Sequence, residues 1–217
     1  MTGPPANAPA PFPVPVAVLR RVLAAPPRER RAPGCEMCGA PYGESHSHVV
    51  AVDTRELMCT CRPCALLFTA AGAAGGHYRA VPERYLSFPS FALTAAQWDD
   101  LQIPVGMAFL FHNSAMGRVV AFYPSPAGAT ESELALDAWS DLVAANPALA
   151  TVEADVEAVL IRVVDGAVSA HLVPIDRCYE LVGHLRQHWR GFDGGTEAHE
   201  HIDAFFAEIG SRSRPAP

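Results

Sequence analysis

Two pairs of cysteines stand at a spacing that is typical of a metal site. Cys35 and Cys38 form the first pair, Cys61 and Cys64 form the second, and 22 residues separate the pairs. The two residues inside each pair allow both thiolates to bind one ion. Four thiolates are soft donors that suit tetrahedral zinc or a single iron ion. The sequence therefore predicts a four-sulfur metal site, with disulfides or unligated thiols as the alternative.

The neighbours of the two pairs predict how each would turn around a metal. Gly39 directly follows Cys38 and can adopt the backbone angles of a tight metal-binding turn. The second pair contains Pro63 and is followed by Ala65, so its turn cannot use glycine in the same way. Cys59 adds an alternative ligand on this side, or else a buried thiol that binds nothing.

The segment between the pairs has the pattern of a β-hairpin. Residues 48–53 and 55–59 are apolar-rich runs that meet at a turn near Asp53. We expect residues 35–69 to form a small metal ribbon in which the hairpin brings both pairs together. His46 and His48 lie within it, where a ring nitrogen could donate to a sulfur or replace one ligand.

The remainder of the chain predicts an α+β domain. A capping-box pattern at Thr94 opens a short helix, and an Asp165-Gly166 turn joins two strands of a hairpin. Strand patterns in hairpins, with helices between them, indicate an antiparallel sheet with flanking helices over residues 70–211. The predicted strands and helices are residues 106–112, 118–123, 136–145, 156–164, 167–173, 175–190 and 197–209. Disordered tails are predicted for residues 1–15 and 212–217, and a short helix with a basic linker for residues 16–34.

Composition excludes several classes of protein. All 16 basic residues are arginine, so a Walker A phosphate loop, a pyridoxal Schiff base and a protein-kinase site are ruled out. The net charge is −7, and the arginines that precede Cys35 leave the rest of the chain still more acidic, which argues against nucleic-acid binding. No run approaches the length of a membrane span, and a cytoplasmic location, with reduced thiols, is expected.

Other candidate residues have simpler interpretations. His184 and His188 stand four apart on a predicted helix, and His199 and His201 lie on the next one, but no HExxH pattern accompanies them. Surface or packing roles are favoured for all four. Cys178 is expected to be a core thiol.

The small residues of 123–132 predict either an anion-binding loop or a capped turn in which Thr130 or Ser132 begins a helix. We therefore predict no catalytic residue.

The combined motifs resemble an uncharacterised family that is encoded beside actinobacterial uptake nickel-iron hydrogenases. The resemblance spans about residues 35–208 and is carried by five segments, residues 35–41, 59–68, 101–106, 123–132 and 188–191. It implies a non-enzymatic role in assembly, maturation or protection of that hydrogenase, with a hydrogenase subunit or another maturation factor as partner.

The ribbon is also similar to rubredoxin, in which four cysteines hold one iron. The second pair departs from rubredoxin, because it reads CRPCA and lacks the usual proline after cysteine and glycine after the pair. These departures favour one zinc ion over one iron ion. A rubredoxin-like electron carrier for the same enzyme is the alternative function. A zinc-ribbon nucleic-acid binder is a third, supported only by the arginines before Cys35.

Overall fold

The computed structural model describes residues 33–125, 128–132, 136–190 and 194–217, with the backbone alone at 136–138. Residues 33–217 belong to one compact unit. The predicted tail at 1–15, and nearly all of the helix and basic linker predicted at 16–34, lie outside the described residues. The arginines on which the nucleic-acid alternative depends lie there too.

Ten strands and five α-helices form the described part of this unit, together with short 3₁₀ segments at Ala73–Gly76 and Pro147–Thr151. The strands are β1 Ser47–Ala51, β2 Glu56–Thr60, β3 Tyr78–Ala80, β4 Leu86–Ser87, β5 Met107–Asn113, β6 Arg118–Ser125, β7 Gly128–Ser132, β8 Glu157–Val164, β9 Ala167–Pro174 and β10 Arg214–Pro215. The helices are α1 Arg62–Leu66, α2 Ala95–Asp100, α3 Leu136–Ala145, α4 Ile175–His188 and α5 Gly195–Arg212.

A small antiparallel sheet positions the cysteine pairs. Its strand order is β2-β1-β3, and the β1–β2 hairpin confirms the two strands predicted between the pairs. The third strand, β3, was not predicted and extends the sheet beyond residue 69. Val50 of β1 belongs to the same apolar cluster as Ile175 of α4. The hairpin is therefore packed on the larger domain through its buried face.

The larger sheet has the strand order β10-β4-β9-β8-β5-β6-β7 within the described residues. Alternate residues of each central strand contribute to different apolar clusters because side-chain direction alternates along a strand. Phe109 of β5 lies in the cluster that contains α4 and α5, whereas Leu110 lies with Leu101 and Leu142 on the other face. Helices thus cover both faces, and the predicted α+β class is confirmed.

Local signals in the sequence placed several element ends correctly. The backbone N–H of Gln97 donates to Thr94 Oγ1 at 3.2 Å, and the Gln97 side chain accepts from the Thr94 N–H at 2.9 Å. These two bonds complete the predicted capping box of α2. The turn between β8 and β9 has φ of 49° at Asp165 and 79° at Gly166. Two positive φ values suit the tight hairpin turn that this dipeptide predicts.

Two predictions near the sheet edges were wrong. The capped turn predicted within 123–132 is not formed, since Thr130 pairs with Tyr123 and Ser132 pairs with Ala121 in the β6–β7 ladder. The predicted C-terminal tail at 212–217 instead ends α5 and continues as β10, which pairs with β4 in parallel. Both strands complete edges of the large sheet: β7 pairs with the preceding strand β6, and β10 pairs with β4, which is distant in sequence.

Among the described helices, none combines the length and apolar character needed to cross a membrane.

Candidate metal centre

The first cysteine pair lies in a tight turn just before the small sheet. Gly39 has a φ of 73°, as its position after Cys38 predicted, and its N–H donates to Cys35 O at 2.8 Å. The N–H of Cys35 in turn donates to Ala40 O at 2.8 Å. The side chain of Glu36 accepts a hydrogen bond from the N–H of Cys59, which ties this turn to β2.

The second pair is built differently, at the start of a helix. Cys61 precedes α1, and Pro63 occupies the first turn of that helix, where the missing proline N–H costs no intrahelical hydrogen bond. Ala65 continues the helix, with its N–H donating to Cys61 O at 3.1 Å. A helical second pair explains why no glycine is needed after Cys64.

The four sulfurs of Cys35, Cys38, Cys61 and Cys64 lie within 4.8 Å of one another. The Cys38 and Cys61 sulfurs are 3.7 Å apart, far beyond a disulfide bond, and all six cysteines are free thiols. A tetrahedron with metal–sulfur bonds of about 2.3 Å has edges of about 3.8 Å between sulfurs. The cluster is therefore compatible with one metal ion, as the sequence predicted.

The thiols of the cluster differ in acidity. Burial opposes ionisation of Cys35, but hydrogen bonds from the backbone of Cys61, Cys38 and Met37 outweigh it and lower the Cys35 pKa to about 6. Hydrogen bonds with the thiols of Cys38 and Cys61 raise the pKa of Cys64 to about 12. Several thiolates in one cluster repel each other, so a cation is required before all four can be ionised together.

A second group of metal-binding side chains lies in the same small sheet. His46, His48 and Cys59 bring ligand atoms within 4.8 Å of one another. His48 and Cys59 are direct partners in the β1–β2 ladder. His46 lies just before β1 begins, and its ring is 4.6 Å from the His48 ring between centroids. The structure thus groups Cys59 with the two histidines. The sequence indicated His46 and His48 together as candidates beside the cysteine pairs, but it did not group Cys59 with them.

A third group joins the two C-terminal helices. His184 and His188 of α4 and His201 of α5 have ligand atoms within 4.8 Å of one another. The rings of His188 and His201 are 3.9 Å apart between centroids. Nδ1 of His188 lies 2.7 Å from Glu197 Oε1, and this hydrogen bond lowers the pKa of Glu197. The sequence showed the His184–His188 spacing, but it did not show that α5 brings His201 beside these two residues.

Other sequence candidates lie away from these groups. Cys178 is fully buried in the core beside Leu181, which confirms the predicted core thiol. His199 donates from Nδ1 to Gly195 O at 2.8 Å, within its own helix. Neither residue is part of the three groups.

No curated protein and no solved structure matches the chain significantly. The sequence profile of a family of unknown function, DUF5947, matches residues 34–213. That range contains both cysteine pairs, the small sheet and all but the last strand of the large sheet. The chain therefore belongs to the DUF5947 family.

Proposed function

We propose that this protein is a non-enzymatic, metal-binding accessory protein that serves the assembly, maturation or protection of a nickel-iron hydrogenase. The single observation that carries the metal-binding part is the close approach of the four sulfurs, with Cys38 and Cys61 separated by the edge length of a metal–sulfur tetrahedron. Zinc is the proposed ion. It undergoes no redox change and would hold the two cysteine turns as one rigid surface.

The hydrogenase part of the proposal is supported by the resemblance to the family encoded beside actinobacterial uptake enzymes. The proposed partner is a hydrogenase subunit or another maturation factor. A cytoplasmic location suits such a role and keeps thiols reduced, which favours a metal site over disulfides.

Exposed apolar side chains beside the second cysteine pair support a partner-binding role. Leu66 and Leu67 lie two and three residues after Cys64 and are 54% and 68% exposed. Large apolar side chains that remain in water at a fixed turn are candidates for burial against another protein. A metal bound by Cys61 and Cys64 would fix the position from which both leucines project.

Deletion of the gene in a host that makes the hydrogenase tests the proposed role. We expect loss of hydrogenase activity or of subunit processing, restored by the wild-type gene but not by Cys61→Ser. Leu67→Ser should restore less than wild type, whereas Val164→Ser should restore fully, because Val164 is an equally apolar, 46% exposed residue at the β8–β9 turn. Unchanged activity and processing after deletion would refute the role.

An electron carrier of rubredoxin type is the second candidate. Cys38 is exposed, and a solvent-exposed sulfur ligand is where electrons would enter or leave a single-iron site. Absorption of aerobically purified protein distinguishes the two functions. Thiolate-to-iron bands would favour the carrier, while a colourless protein containing one zinc per four-cysteine site would favour the accessory role.

A further inference from the structure

We propose that His46, His48 and Cys59 form a second metal site, separate from the four-cysteine site, that binds a divalent ion of the cobalt-to-zinc series and leaves one coordination position open. This site does not depend on the hydrogenase role proposed above.

The backbone places the three ligands together before any metal is present. His48 and Cys59 face each other across the β1–β2 ladder, and directly opposed side chains have Cβ atoms about 5 Å apart. His46 lies just before β1 begins, and its ring is 4.6 Å from the His48 ring between centroids. The ring of Tyr42 stacks on His46 with 4.1 Å between centroids, which fixes the plane of that imidazole.

Both imidazoles use Nδ1 for a hydrogen bond, which leaves their Nε2 atoms available to bind a metal ion. Nδ1 of His46 lies 3.0 Å from the carbonyl oxygen of Glu44, which can only accept, so Nδ1 carries the proton and Nε2 carries a lone pair. Nδ1 of His48 lies 2.8 Å from Oδ2 of Asp176. A carboxylate that holds one ring nitrogen while the other binds metal is the usual arrangement at histidine metal ligands.

Besides the grouping of the three side chains, the environment of His46 Nε2 also points to a ligand. This atom is buried and has no hydrogen-bond partner. A buried polar atom without a partner is rare and costs free energy, so each case requires a physical reason. A metal ion beside the Nε2 lone pair, also in reach of His48 and Cys59, supplies that reason.

The donor set specifies the class of ion. Two borderline imidazoles and one soft thiolate suit cobalt, nickel, copper and zinc better than magnesium or calcium. Three protein ligands leave a fourth position for water or for a group from another molecule. His46 and His48 line a groove of about 860 Å³ between the small sheet and α4, and a fourth ligand would approach from this side. Such an ion can be exchanged, unlike one enclosed by four cysteines.

Titration of the metal-free full chain with Co²⁺ tests the second site. Wild-type protein should bind two equivalents, because the four-cysteine site takes the first and the mixed site takes the second. After zinc has filled the four-cysteine site, one further equivalent of Co²⁺ should still bind and produce a thiolate-to-cobalt absorption band. Cys59→Ser should abolish this band, and His46→Gln should weaken the second equivalent at least about 100-fold.

Matched controls distinguish the site from its neighbours. His188→Gln alters the histidine group between α4 and α5 and should retain both equivalents. The first equivalent and the far-ultraviolet circular dichroism should be unchanged in Cys59→Ser and His46→Gln, which shows that both variants fold. Binding of a single equivalent by wild type would overturn the proposal. A second equivalent that survives both ribbon substitutions, or that is lost in His188→Gln, would also overturn it.

Discussion

Nδ1 of His48 in β1 lies 2.8 Å from Oδ2 of Asp176 in the first turn of α4, although the two residues are 128 positions apart in the chain. This bond joins the small metal-binding sheet to the large domain. Both side chains are largely buried, at 19% and 23% exposure. Asp176 therefore controls both the orientation of the His48 ring and the seating of the hairpin on α4.

Asp176→Ala should weaken the second metal equivalent by about 10- to 100-fold, because the His48 ring loses the carboxylate that orients it. The four-cysteine site should keep its affinity. Competition with a chromophoric chelator measures both affinities in one titration. Glu180→Ala, on the same helix but bonded to Arg177, is the control and should leave both unchanged. Equal affinities in Asp176→Ala and wild type would contradict the assigned role of this carboxylate.

Replacement of one cysteine of the first site should remove the metal and loosen the small sheet. Cys61→Ser should lose the tightly bound ion, since three thiolates hold zinc less firmly than four. For wild type, chelation should lower the free energy of unfolding by about 4 kcal/mol when free metal had been 1,000-fold above its Kd. Denaturant unfolding and elemental analysis provide the measurements.

Cys178→Ala is the matched control for that experiment, because it removes a buried thiol that lies in the core and outside the metal groups. It should retain the metal and lose only about 1 kcal/mol of stability. Metal retained at full affinity in Cys61→Ser would contradict the four-sulfur site.

Proton release on metal binding should depend on pH. In the metal-free protein the pKa of Cys35 is lowered to about 6 and that of Cys64 is raised to about 12. At pH 8 Cys35 is already a thiolate, while Cys64 must still lose its proton. Below pH 6 Cys35 is protonated as well, so the number of protons released per ion should rise by about one and affinity should fall.

Calorimetry in buffers of different ionisation enthalpy measures the number of protons released. A number that stays constant between pH 8 and pH 5 would show that Cys35 is not ionised early. Cys59→Ser is used alongside wild type, because it removes the thiolate of the proposed second site and leaves the four cysteines intact.

Arg84→Ala should destabilise the fold strongly. Glu157 is completely buried, and Arg84 Nε donates to its Oε1 at 2.7 Å while a second bond reaches Oε2. Removing the guanidinium leaves a buried carboxylate without its counter-charge, at a cost of about 3–5 kcal/mol.

Arg118→Ala is the matched control, because the Arg118–Glu131 pair is partly exposed and should contribute at most about 1 kcal/mol. Chemical denaturation with urea measures both variants. Similar losses in the two variants would show that burial of Glu157 does not determine the effect.

Local patterns in the sequence were sufficient to predict many of the strands, turns and helix ends. The apolar runs that became β5, β8 and β9, the capping box at Thr94 and the turn at Asp165 depend on neighbours within a few residues. The predicted hairpin between the cysteine pairs was correct for the same reason. The β7 and β10 strands were missed because their pairing partners, not their own residues, hold them extended.

The sequence by itself determined which residues could hold the first metal, since paired cysteines and a connecting hairpin leave little choice of geometry. Only the three-dimensional structure showed the exact pairing within the second group, the assembly of the third group and the contact of the second group with α4. Strand register placed His48 opposite Cys59, helix packing brought His201 to His188, and a fold contact brought Asp176 to His48. The turn of a hairpin sets its register locally. Helix packing and contacts between distant segments arise instead from the burial of whole faces across the chain, and no local spacing of residues specifies them.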